Sequence, residues 1–120
     1  MRILVTGSSG LLGSSLVSLA SLKHEVYSVY NQHSPKAGTP VRIDIMDFDK
    51  VKLTIEDIRP EVIIHAGALT DVDRCEEDKE LALNLNYKAT ANIASEAKRM
   101  GAFLMYVSTD YIFDGQKGLY

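Results

Sequence analysis

Two short runs carry residue types whose order points to chemistry. The first is Ser108-Thr109-Asp110-Tyr111-Ile112-Phe113-Asp114-Gly115, where hydroxyl, carboxylate and phenol groups follow directly on the apolar stretch 102–107. If that stretch is a strand, these groups stand at its carboxyl end, where open α/β sheets meet their substrates. Hydroxyl-rich loops are common, so the run needs a context before it means more than a turn. The second run is Thr6-Gly7-Ser8-Ser9-Gly10-Leu11-Leu12-Gly13. Gly7 can turn the chain sharply, Gly10 lets backbone approach a pyrophosphate, and Gly13 permits close helix–sheet packing. A helix starting there directs free N–H groups and partial positive charge at the phosphates.

Both runs depend on the elements around them. Ile3-Leu4-Val5 reads as a buried strand, and Leu12, Leu16, Leu19 and Ala20 recur at helical spacing to give one apolar helix face. Residues 25–30 (Glu-Val-Tyr-Ser-Val-Tyr) form a second strand, and 31–40, with Pro35 and Pro40, a loop. Residues 41–45 make a short third strand. Asp47 or Asp49 caps a helix whose apolar positions are Val51, Ile55 and Ile58, and Pro60 ends it. Val62-Ile63-Ile64 is a fourth strand running into the small residues Ala66, Gly67 and Ala68. The acidic cluster Glu76-Glu77-Asp78 suits the start of a long helix with Ala82, Leu85, Ala89, Ile93 and Ala97 on one face. Met100-Gly101 ends that helix, and residues 102–107 are the fifth strand.

The order β-α-β-β-α-β-α-β predicts an α/β fold, a Rossmann-like doubly wound parallel sheet cut off after about the fifth strand. Right-handed crossovers leave few other topologies. The connection between the second and third strands is the exception, because it offers no helix. Residues 1–120 are expected to be one NAD(P)-binding domain.

Composition excludes several classes. With 46% hydrophobic and 24% charged residues the chain is globular rather than disordered. A net charge of −3 with scattered Lys and Arg supplies no basic stripe for nucleic acid. The single Cys75 has no partner spacing for structural zinc, so no metal is expected. No apolar run is long enough to span a bilayer and no signal peptide precedes the first strand, which together predict a cytoplasmic protein without membrane partners.

The glycine loop sits in its required context, strand before and helix after, so a dinucleotide is the expected ligand. NAD-preferring folds place a carboxylate at the end of the second strand. Here that position reads Tyr30-Asn31-Gln32-His33, with His33 and Lys36 able to meet a 2′-phosphate, which favours NADP(H) slightly over NAD(H). Asp44, at the end of the third strand, can accept from an adenine amino group.

The spacing Gly7-x-x-Gly10-x-x-Gly13 resembles the loop of the extended short-chain dehydrogenase/reductase superfamily. Together with His65-Ala66-Gly67-Ala68-Leu69-Thr70-Asp71-Val72-Asp73-Arg74-Cys75-Glu76 and the 108–115 run, it resembles the dTDP-4-dehydrorhamnose reductase family over essentially the whole chain. The resemblance implies reduction of a 4-keto sugar nucleotide, dTDP-4-dehydrorhamnose to dTDP-rhamnose in type, and allows a homodimer for the full-length protein. It implies that Gly7, Gly10, Leu11, Leu12 and Gly13 hold the pyrophosphate, and that Asn31, Asp44 and Ile45 flank the adenosine. Ala66, Gly67, Ala68, Leu69 and Thr70 would line the cofactor's path, and Val107 would lie under the nicotinamide ribose. Asn86 would help to position the active site. Thr109 would be the hydroxyl member of a Thr-Tyr-Lys catalytic set, orienting the carbonyl oxygen, and Asp110 would lie beside the sugar nucleotide.

The family's Tyr-x-x-x-Lys pair belongs downstream of the octet, and Tyr111 has Gly115 rather than Lys four residues on. The 120-residue chain is therefore expected to bind dinucleotide without catalysing. Two other readings compete with the reductase. One is a non-catalytic, NADP-binding regulatory subunit like the β subunit of methionine adenosyltransferase, and the other is an extended-branch epimerase or dehydratase. The run Thr-Asp-Tyr-Ile-Phe-Asp-Gly leans toward the reductase, since epimerases usually carry Ser-Ser-x-x-Val-Tyr-Gly there.

Overall fold

The computed structural model describes residues 1–67, 79–80 and 84–107. Five strands form one sheet: β1 (Arg2–Thr6), β2 (Glu25–Tyr30), β3 (Thr39–Arg42), β4 (Val62–His65) and β5 (Phe103–Tyr106). All pairings are parallel, in the order β3-β2-β1-β4-β5. The helices are α1 (Leu11–Ala20), α2 (Phe48–Ile58) and α3 (Ala89–Met100), the last entered through a π-helical segment, Asn84–Lys88. The sheet is Rossmann-like and doubly wound, as its sequence predicts. Strand order reverses between β1 and β4, which opens a crevice at their carboxyl ends.

Strand alternation divides the core in two. Leu4, Val29, Ile43 and Ile63 pack with Val51 and Ile55 of α2 and Ile93 and Ala97 of α3. On the opposite face Ile3, Val5 and Val26 pack with Val17 of α1. Asp47 caps α2, its carboxylate accepting from the Lys50 amide at 3.2 Å, and Arg59 in the left-handed region (φ 52°) ends it before Pro60. Gly101 (φ 68°) ends α3. Arg99 bridges the two helices, donating to Glu96 and to Glu56 at 2.8 Å.

Four expectations need correction. The apolar face predicted for α1 is only partly the buried one: the helix buries Gly13 and Val17, Ala20 packs on the same core and Leu16 is half-buried, while Leu12 and Leu19 are exposed, Leu19 to 70%. Close packing through the glycine edge leaves Leu12 and Leu19 outward. The third strand covers Thr39–Arg42 rather than 41–45. Asp44 accepts from the Met46 amide at 2.9 Å in a local turn, which draws the chain off the sheet. Pro40, expected in the loop, lies inside β3, which tolerates it as an edge strand. The long helix also begins differently, with π-helical rather than α-helical hydrogen bonding over Asn84–Lys88. The expected helix start at residues 76–78, Ala82, the side chain of Leu85, Cys75 and the octet 108–115 lie outside the described residues.

The crossover from β2 to β3 has no helix, as expected. Ser28 closes it from beneath, donating to the Ala37 carbonyl at 2.7 Å. Among the described residues no helix is long and apolar enough to cross a membrane.

Buried and exposed positions on one helix should separate cleanly. Ile55→Ala, at a fully buried site of α2, is expected to cost about 3 kcal/mol, whereas the exposed Leu53→Ala should stay within about 0.5 kcal/mol. Urea unfolding of the two variants checks this.

Candidate functional site

The glycine loop is built by contacts that tolerate no side chain. Gly7 adopts φ 64°, and a Cβ there would sit 2.7 Å from the Ala66 carbonyl and the Gly67 nitrogen. A Cβ on Gly13 would lie 1.9 Å from the Gly7 carbonyl oxygen. The first turn of α1 therefore presses directly on the loop. Gly10 is less confined, a notional Cβ meeting only the Gly7 oxygen, at a tight 3.3 Å. Ser8 anchors the loop to β2, its buried hydroxyl donating to the Val29 carbonyl at 2.8 Å.

Above this loop lies a cavity of about 250 Å³. Gly7 and Ser9 form one wall, and Tyr30, Asn31, Gln32 and His33 from the end of β2 form another. Asp44 and Ile45 beyond β3, and Gly67 beyond β4, complete it. Of the positions anticipated from sequence, Gly7, Asn31, Asp44, Ile45 and Gly67 converge here. Gly10, Leu11, Leu12 and Gly13 form the loop's end and the start of α1, where no side chain caps the helix. The first amides of α1 have no intrahelical acceptor and no competing acid in the first turn, which suits an anion. His33 lines the cavity, and Lys36 does not. The residues present thus fit a dinucleotide: glycines where backbone must approach, uncapped amides for phosphate, and an adenosine-sized hollow beside β2.

A buried polar row runs beneath the crevice. His65, 1% exposed, has Nδ1 2.6 Å from Thr6 Oγ1 and Nε2 2.8 Å from Thr90 Oγ1. Thr6 Oγ1 also accepts from the Gly67 amide at 3.0 Å. Thr6 keeps its hydroxyl hydrogen and a second lone pair for Nδ1, and the ring engages a threonine hydroxyl at each nitrogen. Tyr106 stacks on the imidazole, ring centroids 5.5 Å apart. Burial lowers the His65 pKa from 6.5 to about 4, so the ring is neutral near pH 7. The Val107 amide donates to the His65 carbonyl at 3.1 Å, and Asn86 lies on the π-helical segment four residues before Thr90.

Ser8, His65 and Thr90 do not stand out as site residues in the sequence. The available signal is a polar residue closing an apolar strand, His65 after Val62-Ile63-Ile64. Ala68, Leu69, Thr70, Thr109 and Asp110 lie outside the described residues.

Comparison with known proteins gives this geometry a family setting. The sequence model of the family described as RmlD substrate binding domain matches residues 1–120. A crystal structure described as a hypothetical dTDP-4-dehydrorhamnose reductase from Sulfolobus tokodaii is 43% identical with a TM-score of 0.94, over 100% of this chain and 43% of that one. A dTDP-4-dehydrorhamnose reductase from Bacillus anthracis, in complex with NADP, is 32% identical with a TM-score of 0.81, over 97% and 39%. Methionine adenosyltransferase 2 subunit beta of Pongo abelii is 36% identical over 120 residues, 95% of this chain and 34% of that protein. The chain thus spans about a third of the length of that curated relative.

Two outcomes follow from the geometry. Gly13→Ala should destabilise by about 2 kcal/mol or more, because the methyl meets backbone rather than a yielding side chain, and thermal unfolding checks this. The second concerns pH. Unfolded His65 takes a proton below about 6.5 and the folded ring only near 4, so stability falls as pH drops through that window and is level above it. The loss due to this residue is about 3 kcal/mol. Urea titrations at pH 7 and 4.5 should show it, and His65→Asn should flatten the dependence.

Proposed function

Because the chain belongs to the RmlD substrate binding domain family, that of the dTDP-4-dehydrorhamnose reductases its motifs resemble, we propose that it is the dinucleotide-binding unit of an NAD(P)H-dependent sugar-nucleotide reductase. The reaction is reduction of the C4 ketone of a dTDP-4-dehydro-6-deoxy sugar, dTDP-4-dehydrorhamnose to dTDP-rhamnose in type. The observation that carries this reading is the pair of backbone contacts at Gly7 and Gly13 beneath an uncapped helix start. The likeness to a reductase in complex with NADP supports the choice of cofactor.

In this reading the nicotinamide supplies the hydride. The chain's own residues bind and orient. Uncapped amides at the start of α1 receive the pyrophosphate, and the cavity beside β2 takes the adenosine. Asp44 lies at the adenine end, one carboxylate oxygen held by the Met46 amide. Gly67 and Val107 flank the path toward the nicotinamide. Thr109 hydrogen-bonds the substrate carbonyl, and Asp110 lies beside the sugar nucleotide. The proton donor and its lysine partner are residues of the longer protein, in the family's Tyr-x-x-x-Lys arrangement.

The likeness to methionine adenosyltransferase 2 subunit beta favours a second reading, a cofactor-binding regulatory subunit. One assay separates the two. Full-length protein supplied with NADPH and dTDP-4-dehydrorhamnose should oxidise NADPH, followed at 340 nm in absorbance. NADPH binding without turnover, accompanied by a change in the rate of a methionine adenosyltransferase, would replace the reductase reading with the regulatory one.

Gly10→Ala tests the cradle. Its methyl makes one tight contact, with the Gly7 oxygen at 3.3 Å, that a small shift of the loop relieves. The variant should fold like the parent and bind NADPH about tenfold more weakly, a loss of about 1.4 kcal/mol, measured by fluorescence titration.

A further inference from the structure

We propose that His65 and Thr90 are positioning residues that link the dinucleotide cradle to the π-helical turn bearing Asn86. The inference rests on the cofactor-binding reading and adds to it a path from the cofactor to the helix.

The path is continuous. At the cradle end, Gly7 lies against Ala66 and Gly67 with no space for a Cβ, and both Gly7 and Gly67 line the cavity. A ligand seated there bears on the backbone around Gly67, whose amide donates to Thr6 Oγ1 at 3.0 Å. Thr6 meets His65 at 2.6 Å, and His65 meets Thr90 at 2.8 Å. Both ring nitrogens are thus engaged, one toward the glycine loop and one toward the helix.

The far end is a place where the helical register changes. Asn84–Lys88 is π-helical and passes directly into the α-helix at Ala89. A π-turn differs from the α register by one hydrogen-bond step, and such turns occur often at functional sites. Thr90 is four residues after Asn86, so the two lie on one face of the helical run. Holding Thr90 fixes where the register changes and therefore where Asn86 is presented. An aliphatic residue at position 65 would fill the same core, but it would make neither bond. The imidazole also stacks on Tyr106, which fixes the ring plane.

Hydrogen–deuterium exchange on the full-length protein, with and without NADPH, tests the link. In the parent, saturating NADPH should slow exchange of the amides in the glycine loop and also at residues 86–90, the latter by about tenfold. Thr90→Val should keep the glycine-loop protection and lose the protection at 86–90, while Thr90→Ser, which keeps the hydroxyl, should keep both. His65→Phe breaks the chain of bonds at its centre and should behave like Thr90→Val, which gives the link a second, independent probe. Glycine-loop protection without a response at 86–90 in the parent, or an equal response in Thr90→Val and His65→Phe, overturns this inference and leaves the cofactor reading in place. Absence of NADPH binding overturns both.

Discussion

The contact of Gly7 against the backbone of Ala66 and Gly67 is the constraint on which the other features of the site depend. With a Cβ position only 2.7 Å from backbone atoms and φ in the left-handed region, this residue has to be glycine. The chain leaving β1 can then turn at once, and Gly13 comes to rest under Gly7. That closeness decides which side of α1 is buried. Gly13 and Val17 face the sheet, while Leu12 and Leu19, which a helical pattern assigns to the core, are exposed. The start of α1 is brought to the crevice by the same contact. Packing and ligand geometry therefore have one origin here.

The second organising feature is that α3 is tied at both ends. It runs antiparallel to the strands, so its start lies at the carboxyl edge of the sheet and its end at the amino edge. At the start, Thr90 meets His65. Near the end, Arg99 meets Glu96 in the same helix and Glu56 in α2. The two ties differ in physical kind. Arg99 is partly exposed, so its ion pairs are screened by water and contribute modestly. His65 itself is buried and its bond to Thr90 part-buried, so a lost partner leaves the imidazole unsatisfied, and this tie defines geometry more strictly. The strict tie lies at the end that carries the site.

Most of the fold is legible in the sequence because its signals are local and periodic. Residues 25–30 alternate and are β-branched or aromatic, and they form β2 with the predicted bounds. Asp47, Val51, Ile55 and Pro60 mark α2 from cap to stop. The glycine spacing, set between a strand and a helix, likewise marks the loop. The features that escape are those where tertiary contact overrides local pattern. Of the four apolar residues at helical spacing in α1, Leu12 and Leu19 are exposed, because periodicity does not register that a glycine edge packs closer than a leucine edge. The π-helical entry to α3 has no residue signature of its own. His65 lies inside a motif assigned to the cofactor path, yet its partners Thr6 and Thr90 are 59 and 25 residues away, and no spacing rule joins them.

The charge around the cavity bears on which nicotinamide cofactor it favours. Among the described residues lining it, Asp44 is the one carboxylate, and one of its oxygens is committed to the Met46 amide. The β2 wall offers Tyr30, Asn31, Gln32 and His33, none of them acidic. A carboxylate there would accept from both ribose hydroxyls and repel a 2′-phosphate. The neutral side chains of Tyr30, Asn31 and Gln32 do not repel such a phosphate. Arg42 lies close behind this wall, donating from Nε to the Asn31 carbonyl at 3.2 Å. That bond fixes the backbone at the rim and keeps a permanent cation beside it. Lys36, in the loop between β2 and β3, stays outside the cavity. The β2 wall therefore presents no carboxylate to a bound ribose, whether or not its 2′ position carries a phosphate.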